Sequence, residues 1–361
     1  MDLNKSSHTG PLWSPTSNVT DFDECNLTAS WDWLYMIQPS YMTVICILGL
    51  LGNSFVLCVF CLRKKHNTVA DVYLSNLATA DLVLAACLPF WVVTVSQEFE
   101  WLFGEPLCKL VNMFIAMNYF CSVLFLAVVS IDRYLALVKP LSFGRKRDTA
   151  LARRICLGIW LVGFLLSLPV LLFRSVKEVP ALGVTACQLV YPHQGWRVQW
   201  NVMTNVVGFL VPMPVLSFCG YRIIAVFREN HPRGFPRERT ERKALYLILI
   251  VFLTNVFCLL PHQIVTFLDT LDYYEVITGC LWWHGLDISN QIATYMAFSN
   301  SSLNPFLYVI VGSHFRKRVR LMFKQALKRG VKDKASLTAN FTSTTKYIQA
   351  SRISLPQCNV N

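Results

Sequence analysis

The chain has 361 residues, of which 54% are hydrophobic and only 15% charged. A soluble chain of this length carries more charge because its surface must face water, so a water-soluble globular class is excluded. The net charge of +12 would suit nucleic acid, but the basic residues follow a membrane topology and suit anionic lipid instead.

From the amino terminus, residues 1–35 read as an extracellular, glycosylated segment, with sequons at Asn4, Asn18 and Asn26. No apolar stretch near Met1 reads as a cleaved signal peptide. Residues 36–312 then carry seven apolar blocks, each near the ~20 residues that cross a bilayer as a helix. They are Met36–Leu62, Ala70–Val95, Leu107–Val138, Arg154–Phe173, Val198–Phe227, Ala244–Leu271 and Ile288–Val311. The last is diluted by Asn290, Gln291, Asn300 and Asn304, polar groups that need an interior partner or water. Residues 313–328 follow as a short helix, with Phe315, Val319, Met322 and Phe323 giving it an apolar face for the membrane surface. Residues 329–361 read as a disordered tail. The fold class is an all-α membrane bundle of seven helices.

Charge sets the orientation. All but five of the 33 Lys and Arg residues (Lys5, Lys109, Arg174, Lys177 and Arg197) lie in or beside the loops after the first, third and fifth spans, or after the seventh. Basic residues stay cytoplasmic. The amino terminus is therefore expected outside and the carboxyl terminus inside, as in a multi-pass plasma-membrane protein.

Of the thirteen cysteines, most lie within spans as small packing groups. Cys25, Cys108, Cys187 and Cys280 fall on the oxidising side. Joining Cys108 to Cys187 would tie the long loop over the bundle, and Cys25 with Cys280 would tie the amino terminus before the last span. The sequence leaves all three pairings open.

Several motifs occur in a fixed order. Asn53 lies in the first span, Asp81 in the second and Trp160 in the fourth. Asp132-Arg133-Tyr134 ends the third. Pro212 and Pro261 interrupt the fifth and sixth. Asn304-Pro305-Phe306-Leu307-Tyr308 closes the seventh. Together they resemble the rhodopsin-type G-protein-coupled receptors over essentially the whole chain. A helix-7 lysine for retinal is replaced by Phe298, and a helix-3 aspartate for amines by Ile115. A transporter is the alternative from another class, but no internal repeat supports it. No nucleophile, base or metal cluster points to an enzyme.

Asp81 is a carboxylate at membrane depth and needs partners. Asn53, Asn118, Ser122, Asn300 and Asn304 can face it across the bundle. Such a pocket suits a structural polar network, a water cluster or a sodium ion with oxygen ligands. Arg133 can pair with Asp132 and with Glu241 at the start of the sixth span. Pro261 removes a backbone hydrogen bond and supplies a pivot. Asp269 and Asp287, at the outer ends of the sixth and seventh spans, can grip one guanidinium, whereas Asp272 and Glu275 read as solvated loop charges.

Further segments resemble the bradykinin (kinin) receptor family: Leu102-Phe103-Gly104-Glu105, Ser130 to Lys139, Asn205 to Leu210, Thr266 to Leu271, Met296 to Asn300 and Val309 to Gly312. The resemblance implies a receptor for a short basic peptide, with the alternative that another cationic peptide is the ligand. Asp269 and Asp287 would bind its basic end, and Gln263, Thr266, Gln291 and Phe298 would line the pocket below. Ala116, where the type-1 form carries lysine, favours the type-2 form. It further implies that Arg133, Tyr221 and Tyr308 reorganise to admit a Gq-class G protein with calcium release, and that receptor kinases and arrestin act on the tail. One departure stands out: Cys258-Leu259-Leu260-Pro261 lacks the family's helix-6 tryptophan, with Asn255 and His262 replacing nearby aromatics.

Overall fold

The computed structural model describes residues 28–61, 68–138, 148–180, 183–193, 195–229, 236–277 and 279–310, and helical residues 315–317, 319–322 and 324. The sequons at Asn4, Asn18 and Asn26, Cys25, the tail after 324 and the side chains of Glu241 and Cys280 lie outside the described set. Seven helical rods follow in order: α1 (Thr28–Cys61), α2 (Val69–Ser96), α3 (Gly104–Val138), α4 (Thr149–Phe173), α5, α6 (Pro236–Tyr273) and α7 (Cys280–Ile310). Rod α5 comprises Gly195–Asn205 and Pro212–Glu229, joined by a π-helical turn at Val206–Leu210. Helical residues between 315 and 324 belong to a separate unit, His314–Asn361.

Six rods are long and apolar enough to cross a membrane, α1 to α6. Rod α7 is not among them, because its polar residues lower its mean hydropathy; four of them, Asn300, Ser301, Ser302 and Asn304, are buried in the bundle. The rods overrun the apolar blocks at most ends, notably Cys280 against Ile288. Apolarity marks the hydrocarbon crossing, whereas backbone hydrogen bonding carries a helix on into water.

Local chemistry fixes the boundaries. Rod α2 starts with a capping box, in which Asp71 N donates to Thr68 Oγ1 at 3.3 Å and Thr68 N to Asp71 Oδ2 at 2.7 Å. Asp148 caps α4 by accepting from Ala150 N at 2.9 Å. Each side chain satisfies an amide that has no partner within the helix. Pro212 has no N–H, and the turn before it widens so that Val211 N reaches Val206 O at 2.9 Å.

Rod α3 packs against α2, α4 and α5; α1 packs against α2 and α7, and α6 against α7. Large apolar residues such as Leu51, Leu157, Phe218 and Phe257 remain exposed on the outer faces. On a soluble protein such a girdle would aggregate; here it suits lipid contact.

The loop after α4 is an antiparallel hairpin of β1 (Arg174–Val179) and β2 (Val184–Leu189), with Arg174 opposite Leu189. Gly183, at φ +64°, serves its turn. The hydrophobic blocks gave no sign of this hairpin, because its residues are short and mixed in polarity. Cys187 in β2 is bonded to Cys108 at the start of α3, with Cα atoms 5.7 Å apart. Trp101 locks the same corner: its N–H donates to Thr185 O at 2.7 Å and its indole Nε1 to Gly104 O at 2.8 Å. Phe103 packs edge-on to Trp101 and Phe90 at 5.2 and 5.0 Å. The hairpin thus marks one end of the bundle, the hairpin end.

Candidate functional site: a charged hairpin end and a polar core

At mid-bundle, Asp81 is fully buried. Its Oδ1 accepts from Asn118 Nδ2 and Ser122 Oγ, both at 3.1 Å, and its Oδ2 from Asn304 Nδ2 at 2.8 Å. Rods α2, α3 and α7 thus meet on one carboxylate, which each hydrogen bond stabilises in a setting poor in water. Asn53 ties in α1 by donating to Ser301 O at 3.2 Å, and Asn300 is buried beside this group in sequence. Close approach of α1 and α7 needs a glycine at 52: a Cβ there would sit 2.9 Å from Pro305 Cγ. Trp160 Nε1 donates to Asn76 Oδ1 at 3.0 Å and so binds α4 to α2.

At the end away from the hairpin, Arg133 donates from Nε and Nη2 to Asp132 Oδ2, at 3.1 and 2.7 Å. Asp132 is buried. Tyr134 lies against Phe218 of α5 with ring centroids 5.7 Å apart. Tyr221 is exposed, whereas Tyr308 is buried. Pro261 lies inside α6, on the hairpin side of Asn255, whose side chain is buried with no hydrogen bond to either amide atom.

Just beyond Pro261, a residue that the sequence did not single out ties three rods together. Tyr119 of α3 donates to Thr204 O of α5 at 3.3 Å and accepts from Gln263 Nε2 of α6 at 2.6 Å. Gly208 in the π turn is what admits the phenol, since a Cβ there would lie 2.1 Å from its oxygen. The ring of His262 stands edge-on to Tyr119 at 6.1 Å. Nearby, Thr266 bonds back to His262 O at 2.7 Å, Gln291 accepts from Tyr295 Oη at 2.8 Å, and Phe298 packs on Tyr295 at 6.3 Å. Ala116 is buried.

At the hairpin end, the acids are placed differently from the sequence expectation. Asp269 already holds a guanidinium, that of Arg197 at the start of α5. Arg197 Nε donates to Asp269 Oδ2 at 3.1 Å, and Nη2 donates to Asp269 Oδ1. The same Nη2 reaches Asp272 Oδ2 at 3.2 Å, and Asn201 Nδ2 reaches Asp269 Oδ2 at 2.6 Å. Asp272 was expected to be a solvated loop charge; its side chain is only 16% exposed and is ion-paired. The reason is the first turn of α5, which carries Arg197 across to α6. Glu275 is exposed. Asp287 on α7 makes no hydrogen bond or ion pair among the described residues, though it lies within electrostatic range of Asp269, Asp272 and Arg197.

Tyr191, just after the hairpin, lies within electrostatic range of Asp269 and Arg197. Arg174 Nη1 donates to Cys187 O at 2.9 Å, and its guanidinium lies 5.9 Å from the Trp91 ring. Burial pulls the Arg174 pKa down to about 10, and burial pushes the Tyr191 hydroxyl well above its ordinary value. Arg174, Arg197, Asn201 and Tyr119 escaped the sequence reading, since none belongs to a motif. The only signal was that Arg174 and Arg197 are two of the few basic residues away from the basic loops.

Comparison with known proteins completes the assignment. Residues 52–308 match the 7 transmembrane receptor (rhodopsin family) profile. The chain is 47% identical to the B2 bradykinin receptor of Mus musculus, covering 88% of this chain and 82% of that one. It is 47% identical to the Homo sapiens B2 bradykinin receptor, over 88% and 82%, and 38% identical to the Homo sapiens B1 bradykinin receptor, over 89% and 93%. These matches set aside both the enzyme and the transporter classes. A membrane bundle with its disulfide-tied hairpin, its buried carboxylate hub and these relatives belongs to the rhodopsin family of seven-transmembrane receptors, on the bradykinin-receptor branch.

Proposed function

We propose that the chain is a plasma-membrane, G-protein-coupled receptor for a short, basic peptide of the kinin type, with its amino terminus outside and carboxyl terminus inside. The observation that carries this reading is Asp287, a carboxylate at the hairpin end with no bonded partner among the described residues, within electrostatic range of two further acids. Like-charged walls focus the field and draw a cationic ligand, and a free carboxylate can take a guanidinium in bidentate form. Asp269 adds to the basic-end contact, while Gln263, Thr266, Gln291, Phe298 and Ala116 form the deeper pocket.

The peptide selects a bundle state. It shifts the equilibrium only by its difference in affinity between conformers. Tyr119 and Gln263 join the ligand level to α6 next to the Pro261 pivot. Movement of α6 about that pivot frees Arg133 from Asp132 and, at the α6 end, from Glu241. Tyr221 and Tyr308 then help to form the surface for a Gq-class G protein, with calcium release as the output. The tail, bearing Ser336, Thr338 and Thr342 to Thr345, takes phosphate from receptor kinases and binds arrestin. Asp81 and Ser122 supply a carboxylate and a hydroxyl for a sodium ion as modulator, with Asn118, Asn300 and Asn304 around them; the Asn118 and Asn304 amides, which donate to Asp81 here, would turn their oxygens to the ion. The outer segment is glycosylated at Asn4, Asn18 and Asn26, Cys25 pairs with Cys280, and the short helix after α7 rests on inner-leaflet lipid.

The test is a labelled kinin-type peptide on transfected cells at matched surface expression. Losing a charge-assisted hydrogen bond costs about 1.5–3 kcal/mol, so Asp287→Asn should weaken binding roughly ten- to a hundredfold. Glu275→Gln should change it little. Equal, small losses at both positions would mean that charge only steers the ligand and that its contacts lie elsewhere.

A further inference from the structure

The vestibule contains a guanidinium of its own. Arg197 presents its fork to Asp269 and reaches Asp272 from the same nitrogen. Its side chain is only 16% exposed, so this is no loose surface pair. Asn201, one helical turn further on, adds a third donor to the same carboxylate. Both oxygens of Asp269 are thereby engaged. Counted over Arg197, Asp269, Asp272 and Asp287 alone, one positive charge faces three negative ones, and Asp287 on α7 is the acid left without a bond among the described residues.

We propose that Arg197 is a specificity-determining residue: a built-in guanidinium that competes with the ligand's own for Asp269. The inference rests on the reading that a basic peptide binds at this vestibule. A carboxylate has one face for a bidentate guanidinium, and Arg197 occupies it. An incoming arginine therefore finds Asp287 open. It gains Asp269 only as Arg197 yields that acid and keeps Asp272. Ligand entry is thus coupled to loosening of a tie between α5 and α6. The arrangement also selects among cations. A guanidinium can reproduce the fork that it displaces, whereas a compact ammonium cannot. A neutral group of the same shape offers Asp269 hydrogen bonds without charge, too weak to displace the ion pair, so the pair stays closed against it.

The experiment uses the full-length receptor on cells and two peptides that differ only at the amino-terminal residue, arginine or its neutral isostere citrulline. Arg197→Gln should raise affinity for the arginine peptide roughly tenfold, about the size of one charged contact. It should leave the citrulline peptide unchanged. Asp269→Asn should cost less than Asp287→Asn in the unaltered receptor, and the two losses should become equal in the Arg197→Gln background. Should Arg197→Gln fail to reach the surface, Arg197→Lys carries the test, since it keeps the charge but loses the fork; it should give a smaller rise in the same direction. A fall in arginine-peptide affinity, or no change, in either variant would show that Arg197 is a strut or a ligand contact and would overturn the inference. An equal gain for the citrulline peptide would overturn it as well. Both outcomes leave the receptor reading intact, because the peptide still binds. Failure of every basic peptide to bind the unaltered receptor would overturn both.

Discussion

Gly208→Ala is the substitution whose outcome the geometry specifies most closely. The added Cβ would lie 2.1 Å from Tyr119 Oη and 2.5 Å from both Cε1 and Cζ. No van der Waals contact is that short, and the obstacle is an aromatic ring rather than a flexible chain end. The ring is also held from two sides, by Thr204 O and Gln263 Nε2. Over-packing of this kind costs about 1–3 kcal/mol. If the phenol moves away, its two hydrogen bonds go with it, each contributing about 1 kcal/mol. A total loss of about 3–5 kcal/mol is therefore expected. The assay is thermal loss of the folded state in detergent micelles for four proteins: unaltered, Gly208→Ala, Tyr119→Leu and both together. Leucine lacks the atoms that clash, so the double variant should be more stable than the sum of the single losses by about 1–2 kcal/mol. Strict additivity would refute the clash, and an unchanged melting point for Gly208→Ala would refute the packing of the π turn on α3.

Four other expectations can be checked in similar preparations. Gly52→Ala should destabilise by about 1 kcal/mol, because the strain against Pro305 outweighs the usual helix gain, whereas Gly158→Ala, with nothing within 4 Å, should be neutral or stabilising; melting curves that ranked them the other way would contradict the α1–α7 contact. Cys108→Ala and Cys187→Ala should each lose surface expression or binding, with the double variant no worse than either single, because the bond joins them as one unit; flow cytometry on intact cells reads this. Trp160→Phe removes the indole bond to Asn76 and should lower the melting free energy by about 1–2 kcal/mol, with no added loss once Asn76 is also replaced by leucine. Arg133→Ala should abolish G-protein activation while peptide binding persists; undiminished calcium release at equal surface expression would remove Arg133 from the switch.

Much of the bundle is legible in the linear chain because the bilayer reduces folding to a local question. A stretch either can cross hydrocarbon or cannot, and neighbouring residues decide it. The first six rods follow from apolar length alone. Rod α7 needed its Asn-Pro-x-x-Tyr ending to be recognised, since hydropathy averages over faces and cannot show that Asn300, Ser301, Ser302 and Asn304 turn inward. The rhodopsin-type motifs and the kinin-receptor segments were equally visible, and the relatives bear out that family. The acids Asp269 and Asp287 could be marked as vestibule residues because their position at rod ends is a local property.

Their partners could not be read. Arg197 meets Asp269 across 72 residues, and Asn304 meets Asp81 across 223. Nothing in the local sequence around Asp269 distinguishes a carboxylate awaiting a ligand from one already held. That difference rests on the azimuth of the first turn of α5 relative to α6, which only packing sets. Asp272 looked like a solvated loop charge for the same reason. Tyr119 is one more aromatic in an apolar span until the missing side chain at Gly208 and the amide of Gln263 close around it. Which segments enter the membrane, and which family they form, could be read along the chain, since burial in lipid depends on each segment's own composition. The tertiary structure alone decided which of the buried and half-buried charges remain free, because pairing depends on distances between rods far apart in the chain.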